Sequence, residues 1–191
     1  YNHAYYASHF ERLGYKVEKE YLENKHAFKD IKKESFDRIQ EIIKKRYKLK
    51  ALYFTKTKEV MPYADKMFDL FNKSYSSLAS FVIAFGIVMP SYAEALQKMN
   101  GKLFPFGFKH LLQAKKHSKK VTFYLIGVHP EYQNKGVHAI IFNEFHNSFS
   151  KKGIVECLRT PELVENTAIN KIWKNFNPVN HKRRRTYRKD I

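Results

Sequence analysis

The run Val128-His129-Pro130-Glu131-Tyr132-Gln133-Asn134-Lys135-Gly136-Val137 closes one apolar segment and opens another, with polar residues and one glycine between them. Set between a strand and a helix, such a run brings together the parts of an anion site. A helix N-terminus leaves several backbone N–H groups without partners and carries about half a positive charge. A phosphate placed there satisfies those donors. Gly136 allows close backbone approach, and Lys135 adds a mobile charge beside it. The residues alone therefore predict a pyrophosphate cradle or, equally in keeping with them, an ordinary strand–loop–helix connection.

Two side chains nearby have the chemistry of a general base: His129 at the strand end, and Glu156 on the next apolar run. Each fits a surface or structural role as well. The nine histidines show no spacing with acids that would hold a metal. The single cysteine, Cys157, excludes an internal disulfide and reads as a small buried hydrophobe. Tyr92 and the cluster Phe104–Phe108 suit either the lining of an acceptor pocket or a packed helical insertion.

Charge is the dominant compositional signal, with 36 Lys and Arg against 18 acids and a formal net charge of +18. Such an excess draws polyanions: nucleic acid, a phosphorylated cofactor or an anionic surface. A plain lysine-rich surface gives the same count. The tail His181-Lys182-Arg183-Arg184-Arg185-Thr186-Tyr187-Arg188-Lys189 carries the strongest nucleic-acid signal, basic residues around one aromatic. An edge strand with half its charges solvated is the reading preferred here.

The elements that must position these residues follow from periodicity. Residues 1–15 read as a short helix closed by Gly14, and Lys16–Leu22 alternates as a strand does. Ser35–Tyr47 places Phe36, Ile39, Ile42 and Ile43 on one helical face, with Lys44, Lys45 and Arg46 at its C-terminus. Leu49–Phe54 reads as a strand. A helix after Thr57 places Val60, Met61, Ala64, Met67, Phe68 and Phe71 inward. Val82–Met89 is a buried strand, and Ala93–Gln113 is helical with breaks at Asn100-Gly101 and Phe104–Gly107. Then come a strand Val121–Val128, a helix Val137–Ser150, a strand Ile154–Leu158 and a helix Glu165–Phe176. Alternation of this kind predicts an α/β (α+β) fold with parallel neighbours at the sheet centre. At 43% hydrophobic and 16% aromatic the chain can build a core, which excludes disorder for its bulk. Its longest apolar run, Phe81–Pro90, is about half of what a membrane-spanning helix needs. No membrane partner is expected. The near absence of cysteine favours the cytoplasm by default. Opening on Tyr1 rather than Met, the sequence reads as part of something longer.

The segment Val128-x-Pro130 with Gln133, Asn134, Lys135 and Gly136 resembles the acyl-CoA signature of the GNAT (acetyl-CoA-dependent N-acyltransferase) superfamily, a strand ending V-x-P followed by Q/R-x-x-G-x-G/A. Asn166 through Phe176 resembles that family's next helix, beginning on Asn166. The pieces "GKLFPFGF", "YLIGVHPEYQNKGVHAIIF" and "HKRRRTY" further resemble the C-terminal part of longer bacterial proteins with two GNAT-like units. The resemblance implies a GNAT-like mixed, centrally parallel-splayed sheet flanked by helices, and acetyl-CoA as acyl donor. It implies a cofactor site at Leu125, Ile126, Val128, Gln133, Asn134, Lys135, Gly136, Val137, His138, Ala139 and Asn166, the strand Leu125–Val128 pairing with the pantetheine arm. Residues 1–30 would end a preceding unit, 31–48 form a connecting helix and 49–191 the GNAT-like domain. "NHAYYASHFERLGY" is a loose echo of "NTAINKIWKNFN", the alternative being that this N-terminal helix is an independent extension.

Three departures bear on function. His138 stands where the family has a second small residue, so its side chain either crowds the pyrophosphate or turns onto the helix face. Trp173 stands where many members have a tyrosine, thought to reprotonate the thiolate, and an indole cannot act as that acid; it reads as core. The junction "SLASFVIAFG" is abrupt, as though residues were absent between Phe81 and Val82. The resemblance thus implies acetyl transfer to a small-molecule or peptide amine. Its alternatives are a Fem-type transferase using aminoacyl-tRNA, and a non-catalytic module binding nucleic acid or protein.

Overall fold

The computed structural model describes residues 2–54, 56–73, 82–173 and 176–190. In chain order its elements are α1 (Tyr5–Arg12), β1 (Lys16–Ala27), α2 (Glu34–Tyr47), α3 (Thr57–Lys73), β2 (Ala84–Pro90), α4 (Ala93–Lys98), α5 (Gly107–His117), β3 (Lys120–Val128), α6 (His138–Lys152), β4 (Glu156–Arg159), β5 (Glu162–Leu163), α7 (Thr167–Trp173) and β6 (Val179–Arg188). The chain divides into two compact units, Ala27–Cys157 and a second that joins Tyr1–His26 to Leu158–Ile191.

In the Ala27–Cys157 unit, β2 and β3 pair antiparallel from Ala84↔Val128 to Pro90↔Val121. The ladder shifts register between Ile87 and Val88, leaving Tyr124 as one extra residue on β3. Such a bulge bends the strand and re-aims its groups. Helix α6 lays Ala139, Ile140, Phe142 and Phe149 into the core. There Phe123 of β3 meets Phe142, Phe145 and Phe149 at ring-centroid distances of 6.4, 5.4 and 5.9 Å. Gly86 on β2 makes this possible, since a Cβ there would come within 2.6 Å of Phe145 Cζ. Helix α6 ends in a Schellman cap, with Gly153 at φ 62° and Ile154 N–H donating to Phe149 O at 3.0 Å. Helix α2 ends the same way on Lys48 at φ 51°, Leu49 N–H donating to Lys44 O at 3.0 Å. Lys44 also reaches Glu144 of α6 at 3.4 Å.

Two expectations for this unit are corrected. Leu49–Phe54 forms no strand. Leu49 and Ala51 pack on the cluster of Ile43, Val137 and Ile140, while Leu52 and Tyr53 are both exposed. The segment has no ladder partner among the described residues, and burial of a few side chains alone does not make a strand. On α3 the buried line runs through Leu70, with Val60, Tyr63, Ala64 and Met67 half-buried, whereas Met61, Phe68 and Phe71 face outward. The inward stripe is displaced by about one position from that predicted. On α2, Phe36 and Ile43 are buried, while Ile39 and Ile42 are exposed on its flank.

In the other unit, β1 pairs antiparallel with β6 from Lys16↔Arg188 to Lys25↔Val179, and with β5 at Tyr21↔Leu163 and Leu22↔Glu162. The basic tail is therefore a strand, as preferred from sequence. Its cations meet the glutamates of β1 on both faces. Glu20 receives Arg183 at 3.2 Å and Arg185 at 2.8 Å. Glu23 receives Arg184 and, at 3.7 Å, Lys182. Beneath the ladder Trp173 and Phe176 are almost wholly buried, their rings 5.1 Å apart. The Arg159 guanidinium lies 4.8 Å from the Trp173 ring centroid and 3.0 Å from Glu162. His26 sits beside Trp173 and Phe176, and burial together with Arg159 holds its pKa down to about 4. Trp173 is thus a core residue, as the sequence suggested. The junction at Phe81–Val82 falls on a segment outside the described residues.

Candidate functional site

The segment after β3 forms a short 3-10 turn, Pro130–Tyr132, and an approach to α6 over residues 133–137. His129 caps the turn: its N–H donates to Ile83 O at 2.8 Å, and its Nδ1 accepts from Glu131 N–H at 3.3 Å. Gln133 Nε2 donates back to Val128 O at 3.2 Å, fastening the loop to the strand end. Asn134 takes φ 58°, a left-handed conformation that asparagine tolerates. Gly136 takes φ 80°, and a Cβ on it would stand 3.3 Å from Ile39 and 3.5 Å from Ile43 of α2. The glycine is needed both for its conformation and for close approach to that helix.

The donors left over define the site. Among the described residues, the N–H groups of Asn134, Gly136, Val137 and His138 make no backbone hydrogen bond. They gather in the exposed approach to the N-terminus of α6, a helix of 15 residues. The side chains of Val137 and Ala139 are buried below, with Val137 packed on Ile43 and Ile140, so these residues offer only backbone to a ligand. Lys135 is exposed, its Nζ 5.4 Å from the ring centroid of Tyr132 and 5.8 Å from that of Tyr47. The two rings meet edge to face at 5.5 Å and hold that charge beside the loop. His138 turns down its own helix, its ring 6.2 Å from that of Phe142, and burial lowers its pKa so that it is neutral near pH 7. Of the two orientations its size allows, the ring takes the helix face.

Leu125, Ile126 and Val128 belong to the end of β3 that runs into this loop, and Leu125 is exposed. On the other side of β3, Val155 N–H donates to Lys119 O at 2.8 Å. Glu156 therefore stands at the start of the strand, about 30 Å from Val128 at the usual rise per residue. There it lies 3.8 Å from Lys120, which also binds Glu94 at 2.9 Å. The fold brings His129 to the loop and leaves Glu156 at the other end. Asn166 belongs to the second unit, where its N–H donates to Leu163 O at 3.0 Å and its carbonyl accepts from Asn170 N–H at 3.1 Å. Sequence reasoning passed over two features: the aromatic pair Tyr47–Tyr132 that seats Lys135, and the bulge at Tyr124. The "EYQ" run names Tyr132, but nothing in sequence pairs it with Tyr47.

No protein-family model matches the chain. Over 114 residues it is 31% identical to Protein YghO of Escherichia coli (strain K12), an overlap of 56% of this chain and 29% of that protein. Among solved structures it matches one described as a unique GCN5-related glucosamine N-acetyltransferase region in the fungal multi-domain GH3 beta-N-acetylglucosaminidase. That match has a TM-score of 0.54 and 12% identity, over 95% of this chain and 22% of that one. The chain thus spans less than a third of the length of either. At such identity the likeness carries architecture and not activity. The chain has the mixed α/β fold of the GCN5-related N-acetyltransferases.

Proposed function

We propose that this chain is an N-acyltransferase that moves an acetyl group from acetyl-CoA to an amine on a small molecule or peptide, acting in the cytoplasm. The observation that carries this reading is the group of N–H donors at Asn134, Gly136, Val137 and His138, without backbone partners, at the mouth of α6. They suit a pyrophosphate in number and in direction of dipole, and Lys135 adds charge. Asn134, Lys135, Gly136 and Val137 would hold the phosphates, with Gln133 fixing the loop. Leu125, Ile126 and Val128 would flank the arm, and Ala139 would close the loop from below. Asn166 stays in the proposal through the resemblance alone.

Acetyl-CoA, when bound, supplies the acetyl group as an activated thioester. The protein's part is positioning and electrostatics. A backbone N–H near Val128, at the end of β3, would face the thioester carbonyl oxygen and polarise it. As the acceptor nitrogen forms its bond to the carbonyl carbon it would lose a proton, and the carbon–sulfur bond would break to release CoA as a thiolate that takes up a proton from water. His129 Nε2 is the ring atom left to accept the nitrogen's proton, since Nδ1 is engaged in the cap. The tRNA-dependent alternative draws on the same charge excess but finds less support, because the strongest basic run is already engaged by Glu20 and Glu23.

Calorimetric titration of acetyl-CoA into the folded chain at moderate salt tests the reading. Micromolar binding that Lys135→Glu weakens supports the cradle. Absence of binding by well-folded protein overturns it.

A further inference from the structure

The connection from β2 to β3 carries a second feature, at the end of β3 away from the loop just described. Residues 91–119 fold back as the α4–α5 hairpin, anchored by buried Ala95 and Met99 and by Ser91 N–H donating to Lys120 O at 2.8 Å. Its turn is turned outward. All residues from Asn100 to Phe106 are exposed, with Leu103 at 43%, Phe104 at 75% and Phe106 at 65%, and Phe108 follows at 38%. Large apolar side chains so open to water in one short turn are uncommon unless something covers them.

The surrounding charge is one-sided. From Ser91 to Lys120 the chain has seven lysines and one acid, Glu94, which is bound by Lys120. Lys102 stands in the turn itself, and Lys109 lies 4.7 Å from the Phe106 ring centroid. Lys115 and Lys116 continue the basic surface along α5.

We propose that the α4–α5 turn docks the protein onto an anionic lipid surface, with Leu103, Phe104 and Phe106 entering the interface and the lysines meeting the headgroups. Apolar tip and basic flank together are the pattern of interfacial membrane attachment, in which apolar burial and attraction to anionic lipid add. The tip is a projecting turn and not a groove. A bilayer accepts a projecting apolar tip without a matching shape, and lysine stems lie along apolar surface while their heads reach the headgroups. Non-specific single-stranded nucleic acid is bound in a basic groove lined with stacking rings, which this turn does not form. No helix among the described residues is long and apolar enough to cross a membrane, and the attachment proposed is that of the turn to a lipid surface. The inference rests on the hairpin alone and stands or falls apart from the acetyltransferase reading.

The test is co-sedimentation of the intact chain with phosphatidylglycerol-containing vesicles and with pure phosphatidylcholine vesicles. Preference for the anionic vesicles by roughly tenfold or more is expected, falling with salt and falling about tenfold in Phe104→Ser/Phe106→Ser. These positions are exposed, so an unchanged melting temperature is expected to accompany the loss. Phe104→Trp adds a reporter at the tip, whose emission shifts to the blue on mixing with anionic vesicles. Equal binding to both vesicle types, no binding, or binding that survives the double substitution overturns the proposal. So does a double variant that loses retention of tRNA while keeping that of vesicles.

Discussion

The loop before α6 and the ladder of β1 with β6 both look like anion sites in the sequence, and the tail looks the stronger because it holds more arginine. The structure reverses that ranking. In the ladder, Glu20 and Glu23 each sit between two cations, one pair on each face of the strands. In the loop Lys135 is the one lysine or arginine and Glu131 the one acid, yet the N–H groups of Asn134, Gly136, Val137 and His138 have no backbone partner. A phosphate reaching the ladder has to displace carboxylates, whereas one reaching the loop meets donors already aligned with the helix dipole. Availability of donors, and not their count, separates the two regions.

Acid should have the largest effect, and it acts on the unit that holds the ladder. His26 on β1 keeps its pKa near 4 through burial and Arg159, against about 6.5 in an unfolded chain. Between those values the unfolded chain binds a proton that the folded chain refuses. The stability present above about pH 6.5 is therefore lost as pH falls toward 4, by on the order of 3 kcal/mol. Denaturant midpoints measured across that window should fall in the wild type and fall distinctly less in His26→Leu. Equal slopes for the two proteins would remove His26 from the account.

Next in size is Gly136→Trp. A side chain at φ 80° and within 3.3 Å of Ile39 strains the loop against α2. Acetyl-CoA affinity should drop by about a hundredfold or more, with a loss of about 1–3 kcal/mol in stability. Retained affinity would mean the loop is not the cradle. The reverse experiment frees the ladder: Glu20→Gln/Glu23→Gln releases Lys182, Arg183, Arg184 and Arg185. Affinity for tRNA at low salt should rise by about tenfold, with a steeper salt dependence. An unchanged value would show that the glutamates were not what kept these cations from nucleic acid. The smallest effect is expected from Lys135→Glu, a reduction of roughly threefold to tenfold in acetyl-CoA affinity with stability altered by less than about 0.5 kcal/mol, because the side chain is exposed.

Much of this architecture was legible in the residues. The 3.6-residue spacing marked α2, α3 and α6, the apolar run marked β3, and the glycine at 153 fits the end of α6. The run from Val128 to Val137 marked the loop. The misreadings share one cause, since each depended on a partner distant in sequence. Leu49–Phe54 reads as a strand from its residues but has no ladder partner among the described residues. On α3 two adjacent stripes were both apolar, and packing selected the one through Leu70. Cys157 was read as buried, and its thiol is indeed pushed up to about 12 by burial.

By itself the sequence determined the local geometry: where helices begin and end, which residue tolerates a positive φ, and how many charges the chain carries. Propensity, periodicity and cap chemistry act over a few residues, so they are written in a few residues. Only the tertiary structure decided which charges stay available. It set Glu20 and Glu23 against arginines more than 150 residues away, placed Glu156 at the far end of β3 from the loop, and put the two tyrosines under Lys135. These outcomes depend on strand register and helix packing, which bring distant segments together and which no local pattern encodes.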